Sequence, residues 1–243
     1  MNASDCIRFG TTTISYEITR SDRRKNAAIA VYPDKRVEVA APPTLNQEDI
    51  QDLVRKKAQW VVEKLEWFDH IGQLETSKEY VSGETFLYLG RQYRLKIRLD
   101  GDEPVAKLKG RYFEVCLPEK TPEDAKNDVV KKALWQWYLD HAEKKIGEVI
   151  EAYARRLRID PPQFKVKYQE KRWGSCPKDD LLHINMRTVM APMSQVEYVV
   201  AHELCHLKYK NHSSDFWQLL RLIMPDYEVR KESLKNDGWK YSL

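Results

Sequence analysis

Hydrophobic and polar residues alternate along the first part of the chain, a pattern typical of half-buried β-strands. The alternation covers residues 14–18, 28–32 and 36–39, and turn-forming residues separate these segments. Beyond Pro42, apolar residues instead recur at the spacing of an amphipathic helix, from about 46 to 68. The pattern therefore predicts a block of strands followed by one helix.

A second alternating block runs from about 84 to 117 and predicts further half-buried strands. A long helical pattern then extends to about 157, with Thr121 as its N-cap and Gly147 as a candidate break. Two short alternating segments follow the helix, and we expect a strand in each of them, at 164–168 and 181–185.

Together these elements predict an α+β fold. We expect a mostly antiparallel β block with one helix in residues 1–120, and a region of helices with a small sheet in residues 121–243. The length of 243 residues allows one or two domains. No internal repeat and no low-complexity linker is evident in the sequence.

Composition limits the class of function. The formal net charge is +4 and the charged residues are dispersed, so strong nucleic-acid binding is not indicated. We expect no signal peptide and no membrane span, because no apolar stretch has the required form. The four cysteines lack C-x-x-C spacing, which favours reduced thiols and a cytoplasmic location.

The chemistry of the chain is concentrated in an H-E-x-x-H motif formed by His202, Glu203 and His206. Residues four apart on a helix share one face, so both imidazoles can reach one metal ion. Glu203 is then placed to act as a general base on water. Ser194 and Glu197 fit a capping box, which would start this helix before the motif.

His212 is the expected third metal ligand. A helix turns by about 100° per residue, so His212 cannot share a straight helix face with His206. We expect the chain to turn at Asn211 in a left-handed conformation and a new helix to begin near Ser213 or Ser214. Three protein ligands leave one position open, as catalytic zinc sites do. Other candidate ligands stay open at this point: Asp226, Glu228, Glu232 and Cys176.

Several motifs together resemble the YgjP-like metallopeptidase family, whose members are zinc-dependent hydrolases of the minimal zincin type. The similarity extends over most of the chain, and the C-terminal motifs are the most specific part of it. It rests on the following segments: Arg172-Trp173-Gly174-Ser175-Cys176, His202-Glu203-Leu204-Cys205-His206, Asn211-His212 and Phe216-Trp217.

The resemblance implies that His202, His206 and His212 hold one Zn²⁺ per chain, or another divalent transition metal, and that Glu203 is the catalytic carboxylate. It also implies a zincin core, in which the active-site helix packs behind a small twisted sheet. The strand at 181–185 would be an edge strand that pairs with an extended peptide.

The leading function is therefore hydrolysis of a peptide or protein substrate, with metal-activated water attacking the peptide bond and Glu203 as general base. Arg172 either stabilises the oxyanion and binds substrate, or packs its loop together with Trp173. A first alternative is a nucleoside triphosphate (UTP) pyrophosphatase, although no phosphate-binding glycine loop is present. It would use a basic group of residues: Lys165, Lys167, Lys171 and Arg172. A second alternative is a non-catalytic binding module.

Overall fold

The computed structural model describes residues 3–32, 34–71, 78–170, 172–177 and 179–243. The chain separates into two compact units, Met1–Glu75 and Thr76–Leu243. Each unit has its own cluster of buried hydrophobic residues, and the two clusters share no residue. The α+β class is confirmed, because both units contain helices and sheets. No described helix combines the length and apolar character needed to cross a membrane.

The N-terminal unit contains a four-stranded sheet with the order β1-β2-β4-β3. Strands β2 and β4 are parallel, and the other two pairs are antiparallel. The three strands predicted by alternation are present, and β1 was missed. The strands are β1 (Ala3–Phe9), β2 (Thr12–Arg20), β3 (Ala28–Val31) and β4 (Val37–Ala41).

Two helices follow this sheet where one was predicted. They are α1 (Gln47–Lys56) and α2 (Ala58–Ile71). Lys57 separates them because its backbone leaves the helical conformation, with φ −107° and ψ 6°. The Asn46 side chain caps the first helix by accepting a hydrogen bond of 2.8 Å from the Asp49 backbone. The apolar stripe survives the interruption, since Ile50, Val54, Ala58 and Val61 are all fully buried.

The second unit begins with another four-stranded sheet, of order β5-β6-β8-β7. Its central pair β6–β8 is parallel and its outer pairs are antiparallel, so strand order and directions are the same as in the first sheet. The sequence showed no repeat, yet the two sheets repeat one topology. The strands are β5 (Thr85–Tyr88), β6 (Arg91–Arg98), β7 (Val105–Lys109) and β8 (Tyr112–Cys116).

A helix of 32 residues, α3 (Lys126–Leu157), crosses the second unit. It runs through Gly147 without the expected break. Thr121 is not its N-cap, because a short 3₁₀ turn (Glu123–Ala125) precedes the helix and the Thr121 hydroxyl donates instead to the Pro118 carbonyl at 2.7 Å.

The second sheet and α3 share one core. The centroid of the Phe113 ring lies 4.7 Å from that of Trp137 and 5.5 Å from that of Tyr138. The Tyr138 hydroxyl also donates to the Leu87 carbonyl at 2.5 Å. These contacts explain why the compact units divide the chain well before the boundary that we expected near residue 120. The region 121–243 lies wholly inside the second unit.

A third, three-stranded sheet completes the second unit, with the order β10-β11-β9. Its strands are β9 (Phe164–Lys167), β10 (Gly174–Ser175) and β11 (Leu182–Asn185). Strand β11, expected at the edge, is the middle strand. It pairs parallel with β9 and antiparallel with β10. The two-residue strand β10 was too short to recognise, and it covers the side of β11 that was expected to be open.

Three helices follow the third sheet. They are α4 (Met193–Lys208), α5 (Ser214–Ile223) and α6 (Tyr227–Asp237), and a 3₁₀ segment (Met186–Met190) joins β11 to α4. The helix expected to begin near Ser213 or Ser214 is confirmed.

Candidate metal centre

The motif lies on α4, and the apolar side of this helix is buried. Val196, Val200 and Leu204 are at most 1% exposed. The expected capping box is absent, because the helix starts at Met193 after Pro192. The Glu197 carboxylate accepts a hydrogen bond of 2.5 Å from Arg230 Nη1 instead. Burial of its apolar side and the contact between Glu197 and Arg230 therefore hold this helix in place.

The structure brings His202, His206 and His212 together. One ring nitrogen from each lies within 4.8 Å of the others, and the Nε2 atoms of His202 and His212 are 3.0 Å apart. The helix ends because Tyr209 is extended, with φ −126° and ψ 105°. Asn211 does not have the left-handed conformation that we expected. The segment between α4 and α5 thus begins at extended Tyr209 and ends at extended Ser213, whose φ is −68° and ψ is 173°.

A hydrogen bond orients the His206 ring, and burial favours the neutral form of His202 and His212. Nδ1 of His206 lies 2.9 Å from the Tyr209 carbonyl, which can only accept, so this nitrogen carries the proton and Nε2 is free. Desolvation, followed by the charges of His206, His212 and Lys231, lowers the pKa of His202 to about 3. Desolvation also lowers the pKa of His212. Neutral imidazoles offer the lone pairs that transition metals require.

An aromatic wall of Phe216 and Trp217 supports the three rings. The centroid of Phe216 lies 4.6 Å from that of His206 and 4.8 Å from that of His212. The Trp217 ring stacks on His212 at 5.4 Å. Both aromatic residues lie on α5, so this helix restricts the orientation of the ligands on α4.

Glu203 is 7% exposed and lies against the backbone of Gly174. A Cβ atom on Gly174 would be 2.7 Å from Glu203 Cγ and 2.8 Å from Oε1, so only glycine leaves room for the carboxylate. Burial raises the pKa of Glu203 to about 7, and the charge of Arg172 acts in the opposite direction. A glycine within a strand is a known sign of close approach, but β10 is too short to be recognised from the sequence, so this contact was not predicted.

Arg172 is exposed and near enough to Glu203 to act on its charge. Its carbonyl accepts a hydrogen bond of 2.7 Å from the Asn185 amide. The nucleotide hypothesis also named three lysines, Lys165, Lys167 and Lys171. Lys165 and Lys167 are exposed on β9, and β11 separates that strand from β10. Lys171 lies outside the described residues.

Within the described part of the chain, the three histidines form one group suited to a metal, and none of the alternative ligands joins it. Asp226 and Glu228 form ion pairs with Arg230 and Arg221, at 2.8 and 2.7 Å. Glu232 pairs with Lys235 at 2.8 Å. Cys176 Sγ lies 3.7 Å from Lys210 Nζ. Burial raises the pKa of the Cys205 thiol to about 12, which suits packing rather than ligation.

The comparisons with known proteins agree with the resemblance. A model of the YgjP-like metallopeptidase domain matches residues 25–237, so the chain belongs to this family. Membership supports a metal-dependent hydrolase with a peptide substrate at the family level, and it gives no support to the nucleotide alternative.

Among solved structures, the chain is similar to one described as the metallopeptidase zymogen of Pyrococcus abyssi abylysin. The sequence identity is 18%, the TM-score is 0.35, and the match covers 37% of this chain and 90% of that one. No curated protein matches the chain.

Proposed function

We propose that this protein is a zinc-dependent peptidase in which His202, His206 and His212 hold one metal ion and Glu203 transfers the proton during hydrolysis. The observation that carries the proposal is the convergence of three imidazole nitrogens within 4.8 Å, next to a buried carboxylate on the same helix. Family membership supplies the reaction class.

The donor atoms fit the metal. Nδ1 of His206 donates to Tyr209, which leaves Nε2 free, and two imidazole Nε2 atoms approach to 3.0 Å. A shared cation accounts for this crowding of nitrogens. Three nitrogen ligands are typical of catalytic zinc, and other divalent transition metals suit the same donors.

When bound, the metal lowers the pKa of a water molecule and polarises the peptide carbonyl. Glu203 accepts a proton from the attacking water at its carboxylate and delivers it to the leaving amine. Arg172, exposed near Glu203, stabilises the negative charge that develops on the carbonyl oxygen. We further propose a cytoplasmic location, because all four cysteines are free.

Metal content is the first test. Elemental analysis of purified wild type should give close to one zinc per chain, and His212→Ala should lose most of it. His141→Ala is the matched control, because His141 lies outside the cluster and bonds the Trp137 carbonyl. Wild type that takes up no metal when zinc is supplied at neutral pH would contradict the proposal.

Substitution of the proposed base tests the chemistry. Glu203→Gln should keep its zinc and lose peptide cleavage by at least about 100-fold, because general-base catalysis contributes about that much or more. Glu228→Gln removes an exposed carboxylate paired with Arg221 and should leave the cleavage rate unchanged. Retention of peptide cleavage by Glu203→Gln would favour a different base, whereas the absence of any cleavage by zinc-loaded wild type would favour a binding module.

A further inference from the structure

Asn185, at the end of β11, is fully buried and fully hydrogen-bonded. Its backbone N–H donates to the Trp173 carbonyl at 2.8 Å. Its side-chain amide donates to the carbonyls of Gln169 and Arg172, at 2.5 and 2.7 Å. Its side-chain oxygen accepts from the Arg187 backbone at 3.1 Å. One buried side chain therefore fixes both ends of the segment that carries Arg172.

Arg187 holds the same segment from a second side. Its Nη2 atom donates to the carbonyls of Gln169 and Glu170, at 3.3 and 3.1 Å. Its guanidinium also lies 5.1 Å from the centroid of the Trp173 ring. We refer to this held segment as the arginine loop; it consists of Gln169, Glu170, Arg172 and Trp173.

Asn185 and Arg187 supply the side-chain hydrogen bonds to the carbonyls of the arginine loop. In the described ranges, those of Gln169, Glu170 and Arg172 accept side-chain hydrogen bonds from Asn185 and Arg187 alone. The loop leads directly into Gly174, which pairs with Ile184 on β11 and lies against Glu203. A displacement of the loop would therefore move both the backbone next to Glu203 and the Arg172 cation.

We propose that Asn185 is a positioning residue for the reaction. Together with Arg187, it holds the arginine loop so that Gly174 and Arg172 keep their places beside Glu203. This inference rests on the proposed peptidase function. Neither residue belongs to the histidine group, so its effect is on geometry at the carboxylate and not on metal binding.

The test uses Asn185→Ala in the full-length, zinc-loaded protein, with peptide kinetics and amide hydrogen exchange. We expect kcat to fall about 10- to 100-fold with little change in KM, because a misplaced catalytic group costs rate more than binding. Hydrogen exchange should rise in residues 168–176 and stay at the wild-type level in residues 202–212. Bound zinc should stay at the wild-type level.

Thr188→Val is the matched control. Thr188 is fully buried in the 3₁₀ segment that also contains Arg187, and its hydroxyl has no hydrogen-bond partner among the described residues. Valine has nearly the same shape, so kcat, zinc and exchange should all stay at wild-type values. Arg187→Lys serves as a second variant if Asn185→Ala does not fold, since lysine keeps the charge but lacks the planar fork.

The double variant Asn185→Ala/Arg187→Lys should lose less activity than the product of the two single losses, because both residues act through one loop. Unchanged kcat and unchanged exchange in the variants, or loss of zinc in parallel with kcat, would overturn the proposal. Glu203→Gln distinguishes a failure of the proposed peptidase mechanism from a failure of the positioning role of Asn185. If it remains active, the proposed role of Glu203 as the base fails, and if zinc-loaded wild type cleaves no peptide, the peptidase proposal fails. Inactive Glu203→Gln beside fully active Asn185→Ala defeats the positioning role alone.

Discussion

The two four-stranded sheets have the same strand order and directions but different surroundings. Inward positions of β4 in the first sheet are Val37, Val39 and Ala41, at most 2% exposed. The inward positions of β8 in the second sheet are Phe113 and Val115, and Leu117 directly follows this strand; all three are fully buried. The larger side chains of the second sheet fill the space beneath the long helix α3.

Polar burial separates the two units further. Among the described residues, the buried polar or charged ones all belong to the second unit: Asn185, Thr188, Gln195 and Glu203. Buried polar groups cost stability unless they are hydrogen-bonded. One sheet topology therefore occurs both in a unit whose described buried residues are apolar and in a unit that also buries polar side chains.

The two sheets also differ in the hydrogen bonds made by their hairpin turns. The backbone N–H groups of Leu89 and Gly90, between β5 and β6, donate to the carbonyls of Val189 and Met190 at 2.7 and 3.0 Å. These acceptors directly precede α4. The turn of the first sheet contains Gly10, and no atom lies within 4 Å of the place where its Cβ would be. The turn between β5 and β6 is thus joined to the segment that leads into α4.

The largest expected effect on stability comes from truncating a buried side chain in the core of each unit. Phe113→Ala should lower the free energy of unfolding of the second unit by about 3–5 kcal/mol, since a buried ring leaves a cavity. Val37→Ala should cost the first unit roughly 2 kcal/mol, because it removes two buried carbons. Hydrogen exchange by mass spectrometry assigns each loss to residues 3–71 or 78–243. Equal losses in both units from either variant would show that the two cores unfold together.

Much of the fold followed from alternation and helical spacing, because those patterns are local. They located β2, β4 and α5 within a few residues. They missed β10, whose two residues carry no periodic signal. They also missed the repeat of the sheets, because strand order and direction depend on which strands pair, and alternation within one strand does not reveal its partner.

The sequence indicated the three histidines that we propose as metal ligands for the same reason. His202 and His206 are one helical turn apart, and His212 follows closely. Asn185 and Arg187 could not be assigned a role, because their hydrogen bonds reach carbonyls 13 to 18 residues away. A backbone carbonyl is the same in every residue, so the sequence carries no sign of which one is bound.

A smaller effect should come from the two turns. Gly90→Ala requires a side chain at φ +76° and would place Cβ 2.9 Å from Pro192 Cγ and 3.0 Å from its Cα. Strain and overlap together should cost about 2–4 kcal/mol. Gly10→Ala, at φ +59° in open space, should cost only about 1 kcal/mol. Thermal unfolding measures the stability cost of each variant, and elemental analysis measures its zinc content. Equal stability costs for Gly90→Ala and Gly10→Ala would show that the two turns do not differ.

The smallest effect concerns acid stability of the first unit. The hydrogen bond from Gln47, assisted by those from Gln51, Cys6 and Tyr16, outweighs desolvation and lowers the pKa of Asp5 from 3.8 to about 2. A lowered pKa in the folded state stabilises the protein above the unfolded-state pKa, and this contribution disappears as pH falls from 3.8 towards 2. Because solvent screens the group, we expect less than about 1 kcal/mol.

Asp5→Asn removes the titrating group and keeps the side-chain shape. Urea titrations of residues 3–71, read by pulsed hydrogen exchange at one fixed labelling pH, should show wild type losing stability more steeply than Asp5→Asn below pH 3.8. Above that pH the two proteins should differ by a constant amount, since Asp5 is ionised in both the folded and unfolded states. Parallel curves down to pH 2 would mean that the Asp5 hydrogen bonds persist after unfolding or contribute nothing. The acid response of the first unit would then come from other carboxylates.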